Sequence, residues 1–251
     1  MTTVQGSSVD VPTPDGIADA YLAHPAQGGP YPAVLLNMDA FGLRPQLREM
    51  ADRIAAAGYV VLVPNAFYRK GRAPVVELPE FIDPGARPDL FQQLGPLLYS
   101  LTPELVLRDA GAYLDWLAAS PLTTDGPVGI TGYCMGAGIA LRVAAGYPDR
   151  VAAAAGFHGA MLASDAPTSP HLLAGEITAE LYFGHADQDQ NNPPEQIERL
   201  EKALTEAGVR HRSEVYPGAH HGFTQADTAA YQAEGDERHW AALLDLFART
   251  L

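Results

Sequence analysis

Val128-Gly-Ile-Thr-Gly-Tyr-Cys-Met-Gly-Ala-Gly138 is the stretch on which the fold turns. Its first four residues form an apolar run of buried-strand length, and Met135 to Ala145 follows as a helix. Between them, Gly132-Tyr-Cys-Met-Gly136 sets one reactive side chain, Cys134, on the strand-to-helix turn. A nucleophile on such an elbow needs a sharp turn, so the residues two before and two after it must be small. Both are glycine, and Gly138 leaves more room for the helix to pack on the sheet. Sulfur at a helix amino terminus faces the positive end of the dipole, which favours thiolate. A buried structural cysteine on a glycine-rich turn is the alternative for these residues taken alone.

Outward from this elbow, buried strands alternate with amphipathic helices. Upstream, Val9 to His24 alternates loosely around Pro12, Pro14 and Asp15-Gly16, as a short hairpin would. Strands are expected at Ala33–Asn37 and Val60–Val63, with a helix over Gln46–Ala57 between them, ended by Gly58. Residues 66–101 carry Pro74, Pro79, Pro84, Pro88 and Pro96 and are expected to form an irregular excursion, a common setting for substrate-contacting loops. Thr102-Pro-Glu opens a capped helix that runs through Leu117. Downstream come strands at Val151–Phe157, Ala179–Phe183 and Arg212–Tyr216, with helices over Pro194–Ala207 and about His239–Thr250. The pattern predicts one α/β domain over residues 1–251: a mostly parallel, doubly wound sheet with helices on both faces. Chemistry in such sheets sits at the carboxyl ends of the strands. Asp39, Cys134, His158, Asp187, Asp189 and His221 all map to that rim.

An elbow nucleophile in this kind of sheet is followed in chain order by an acid and then a histidine. Gly184-His-Ala-Asp-Gln-Asp189 and Pro217-Gly-Ala-His-His-Gly-Phe223 follow the last two strands. The histidine would accept the thiol proton and return it to the leaving group, while the carboxylate fixes its tautomer. Asp189 is the favoured acid, with Asp187 as its rival, and either His220 or His221 could be the base. The unused aspartate would be a loop cap. No H-E-x-x-H or paired-cysteine spacing suggests a metal, so no metal or organic cofactor is expected. The remaining histidines are read as structural or solvent-facing.

Composition narrows the partners. Thirty acids against sixteen bases leave a net charge of −14, an unfavourable field for nucleic acid or an anionic membrane. No apolar stretch approaches membrane-span length, and MTTVQGSSVDVPTPDG lacks the basic start and apolar core of a secretory signal. A single cysteine excludes an intrachain disulfide, and a cytoplasmic protein is the expectation. The chain is expected to act as a monomer or weak homodimer on a small molecule.

These residues resemble the dienelactone hydrolases, a cysteine-dependent branch of the α/β-hydrolase superfamily. The resemblance runs from Val34 to the final helix. It rests on Met38-Asp-Ala-Phe-Gly42, Pro64-Asn-Ala-Phe-Tyr-Arg69, Gly132-Tyr-Cys-Met-Gly136, the Asp187–Asp189 loop and Tyr216-Pro-Gly-Ala-His-His-Gly-Phe223. It implies an α/β-hydrolase fold and a Cys-Asp-His triad, with His221 as the histidine and Asp189 as the acid. It also implies an oxyanion hole made of the Met135 and Ala40 backbone N–H groups. A family glutamate that gates the resting cysteine corresponds to Asp39, one methylene shorter. Of the two arginines that hold the substrate carboxylate in the best-known members, Arg69 matches the first. Gln225 stands where the second is expected. The implied activity is hydrolysis of a carboxylic ester or lactone, carboxymethylenebutenolidase-like, through an acyl-enzyme. The alternatives are a broader thioester, ester or amide hydrolase, a silent ligand-binding protein on the same scaffold, and a redox sensor acting through Cys134.

Overall fold

The computed structural model describes residues 2–83, 85–86 and 89–251. Pro84 and Pro88 of the expected excursion therefore lie outside the described residues. Eight strands form one sheet: β1 (Val4–Thr13), β2 (Gly16–Pro25), β3 (Ala33–Asn37), β4 (Val60–Pro64), β5 (Val128–Tyr133), β6 (Val151–Phe157), β7 (Glu180–Gln188) and β8 (His211–His220). Their spatial order is β1-β2-β4-β3-β5-β6-β7-β8. The hairpin β1–β2 is antiparallel and joins β4 antiparallel, while every pairing from β4 onward is parallel. β3, β4 and β5 are buried at every residue, as strands covered on both faces must be.

The covering helices divide by face. α1 (Pro45–Ala56) and α6 (Ala233–Thr250) bury Leu47, Ile54, Leu243 and Phe247 against one side. α3 (Pro103–Ala118), α4 (Met135–Gly146) and α5 (Pro194–Glu206) bury Leu114, Leu141, Val143 and Leu200 on the other. Thr102 caps α3 by accepting the Leu105 N–H through its hydroxyl. Gly58, with φ near +101°, takes the left-handed conformation just past α1. Among the described residues no helix is long and apolar enough to cross a membrane.

The differences from expectation have local causes. The amino-terminal hairpin uses two ten-residue strands instead of a short pair, because pairing continues from Val4 opposite Pro25 to the turn. The excursion holds a helix, α2 (Asp89–Tyr99), which buries Leu90, Leu94 and Leu97 at helical spacing despite Pro96 within it. The prolines masked that spacing. α6 begins at Ala233, six residues before His239, since Gly235 and Asp236 read as turn residues yet are buried in its first turn.

Candidate active site

The carboxyl end of β5 delivers Cys134 at the first residue before α4, with φ +55° and ψ −116°. A non-glycine residue in that region is strained and is held there only when its surroundings demand it. Those surroundings are tight. A methyl group on Gly132 would lie 1.9 Å from the Gly136 carbonyl oxygen, and one on Gly136 would lie 2.4 Å from the Asn37 carbonyl oxygen. Both positions therefore exclude any side chain. The second contact also shows that the start of α4 abuts the end of β3, just before Asp39 and Ala40. As a first-turn amide, the Met135 N–H has no acceptor within its own helix.

His221 follows β8 and meets this elbow. Its Nδ1 donates to Asp189 Oδ2 at 2.7 Å, leaving Nε2 for the Cys134 sulfur. Asp189, at the end of β7, has a side chain only 1% exposed, and its second oxygen accepts the Asn191 N–H at 2.8 Å. Burial opposes charge on His221, but the neighbouring Cys134 and Asp189 outweigh it and push its pKa up to about 10. Asp187 lies apart from this pair: it is exposed and accepts the Gly218 N–H at 2.9 Å. His220 is exposed as well. Of the residues left open by spacing, the fold brings Asp189 and His221 to Cys134.

His158, at the end of β6, is buried and packs edge-on against the His221 ring at 5.3 Å. It holds φ +38°, and its Nε2 meets the Thr224 hydroxyl at 2.8 Å. Full burial, reinforced by His221 and His239, pushes its pKa well below the usual range, so it stays neutral beside His221. Its place after a strand on the same rim was the only signal in the sequence.

Asp39 is buried, but its Oδ1 is taken by Arg44 Nη1 at 2.7 Å and by the Phe41 N–H at 2.9 Å. Sequence reasoning missed Arg44, which looks like an ordinary surface residue just ahead of a helix. Arg69 sits on the loop after β4 with its guanidinium already committed. Nη1 and Nη2 grip Asp109 at 2.7 Å each, and Nε donates to Asp15 at 2.8 Å. Asp109 also lines a small cleft between β3, α3 and α4, whose other walls include Met38, Leu101, Val106, Tyr113 and Ile139. Among the described residues no cluster of three or more His, Cys, Asp or Glu side chains could hold a metal ion.

The chain was compared with proteins of known family and structure. The dienelactone hydrolase family model matches residues 18–251. A Synechocystis protein provisionally named carboxymethylenebutenolidase is 30% identical over 254 residues, spanning 99% of this chain and 98% of its own. The carboxymethylenebutenolidase of Rhodococcus opacus is 26% identical over 234 residues, covering 92% and 86%. A crystal structure from Klebsiella pneumoniae, provisionally titled a dienelactone hydrolase, superposes with a TM-score of 0.86 at 25% identity over 98% of this chain and 99% of its own.

Proposed function

The chain belongs to the dienelactone hydrolase family and is an ester or lactone hydrolase, and from that premise we propose that it works through a Cys134–His221–Asp189 triad and a covalent acyl-enzyme. The observation that carries this is His221 standing between the Asp189 carboxylate, 2.7 Å from its Nδ1, and the Cys134 sulfur at the start of α4.

The steps follow from that arrangement. The Cys134 thiol gives its proton to His221 Nε2, and Asp189 stabilises the resulting imidazolium. The thiolate attacks the substrate carbonyl carbon, and the electron pair moves to oxygen as an oxyanion. The Met135 and Ala40 N–H groups receive that oxyanion; each such donor contributes about 3 kcal/mol. Collapse expels the alkoxide, which takes the proton from His221, and leaves a thioester on Cys134. Water, deprotonated by His221, attacks the thioester. The second tetrahedral intermediate then releases the acid, and the thiolate recovers its proton. In a lactone the alcohol and acid leave as one molecule.

The substrate class is a neutral ester or lactone. Arg69 is saturated by Asp109 and Asp15, and Gln225 brings no charge. The test is steady-state hydrolysis of a neutral p-nitrophenyl ester and a cis-dienelactone by the wild type and by Cys134→Ala. The expected result is turnover of the neutral ester by the wild type and loss of at least about a thousandfold in the variant. Full activity in Cys134→Ala would contradict the mechanism. A strong preference for the anionic lactone would contradict the substrate class alone.

A further inference from the structure

Arg44 is the residue immediately before α1, in extended backbone, and its side chain turns inward and is almost fully buried. Every guanidinium nitrogen is used. Nε and Nη2 form a fork on Asp227 at 2.6 and 3.0 Å, Nη1 donates to Asp39 at 2.7 Å, and Nη2 also donates to the side-chain Oε1 of Gln225 at 3.0 Å. A buried guanidinium is tolerated only when its donors are matched in this way. What the cluster joins is the informative part. Asp39 immediately precedes Ala40, whose N–H is one proposed oxyanion donor. Gln225 and Asp227 lie four and six residues after His221, in a segment stiffened by hydrogen bonds from Gln225 N–H to the Gly222 carbonyl and from Thr228 N–H to the Gln225 carbonyl. The Gln225 amide donates to the Thr224 hydroxyl, which contacts the His158 ring packed on His221.

We propose that Arg44 is a positioning residue for the hydrolysis: its guanidinium fastens the loop carrying Ala40 to the segment carrying His221, so that oxyanion donor and base keep a fixed separation. The inference rests on the cysteine mechanism above. Arg44 touches no reacting atom. It acts by holding two loops from opposite ends of the chain in the register the transition state requires, where misplacement by about 1 Å can cost on the order of a hundredfold in rate. Lysine would keep the charge but, as a point donor, could not span Asp39, Gln225 and both oxygens of Asp227.

The test uses the full chain with Arg44→Lys and Asp227→Asn, assayed on a neutral p-nitrophenyl ester at a temperature well below each variant's Tm. Cys134→Ala runs alongside. Alkylation of Cys134 by iodoacetamide is followed across pH, because that reaction needs the thiolate–histidine pair but no oxyanion donor. The expected result is a kcat lower by about ten- to a hundredfold, KM within about threefold, and an alkylation profile matching the wild type. A folded Arg44→Lys or Asp227→Asn with wild-type kcat overturns the proposal. So does a parallel fall in kcat and alkylation, which would put the effect on the cysteine–histidine pair. If Arg44→Lys fails to fold, Asp227→Asn decides, since it leaves Arg44 and Asp39 in place. Activity in Cys134→Ala would instead count against the cysteine mechanism, so the two failures are distinguishable.

Discussion

Asp189 gives one carboxylate oxygen to His221 Nδ1 and the other to the Asn191 N–H, whereas Asp187 supports the Gly218 amide at the surface. Replacing Asp189 by Asn keeps the size but removes the charge and leaves one acceptor oxygen for two donors, so its NH2 faces either His221 Nδ1 or the Asn191 N–H, and kcat is expected to fall by about a thousandfold or more. Asp187→Asn should stay within about threefold of the wild type. Equal losses in the two variants, measured on one ester, would show that neither aspartate is privileged. Residue type and chain order were enough to single out Cys134 as the candidate nucleophile and to narrow the candidate acid and base to two residues each. The choice within each pair depends on how far β7 and β8 run before the chain turns. Both strands extend past the apolar cores that mark them in the sequence, to Gln188 and His220, and no hydrophobic pattern records those last polar pairings. The burial of Arg44 and His158 was illegible for a related reason: burial of a polar side chain is decided by partners distant in sequence.

At the level of elements, the elbow between β5 and α4 was the most legible feature, because its glycines answer to contacts within five residues and to the adjacent strand end. Gly132→Ala drives a methyl group against the Gly136 carbonyl, so it should destabilise the fold by roughly 3 kcal/mol or more and abolish activity. A wild-type Tm would mean that the turn relaxes freely. α2 was the least legible element. Its buried Leu94 is nonetheless a core residue beside Phe67 and Leu97, and Leu94→Ala should cost about 2–4 kcal/mol in urea unfolding. A cost below about 0.5 kcal/mol would mean that the helix is only loosely docked.

Across the whole molecule, the parallel sheet fixes where the candidate site residues sit, and its alternation of strand and helix could be read directly. Its buried titratable groups could not, and they set two expectations. Arg69→Ala leaves the buried Asp109 without its cation, so stability should drop by about 2–4 kcal/mol while KM for a neutral ester stays within about twofold. A tenfold rise in KM for an anionic lactone at unchanged stability would instead restore the carboxylate-binding role that the family resemblance suggested. His185, on β7, is pushed down by burial to about 4, below the usual histidine value. The native state therefore resists a proton that the unfolded chain accepts. Its contribution to stability is intact above about pH 6.5 and is lost as pH falls toward about 4, reaching roughly 2–3 kcal/mol at pH 4.5. Urea unfolding at pH 7 and pH 4.5 should show a smaller acid loss in His185→Gln than in the wild type. Equal losses would contradict the buried neutral ring.

The central claim is that the acyl group passes through sulfur. The most direct measurement is an acid quench of the enzyme during turnover of a saturating p-nitrophenyl ester, followed by peptide mass spectrometry. The expected result is the acyl mass on the peptide containing Cys134 in the wild type, and neither that mass nor turnover in Cys134→Ala. Acylation at any other side chain, or undiminished turnover without Cys134, would contradict it.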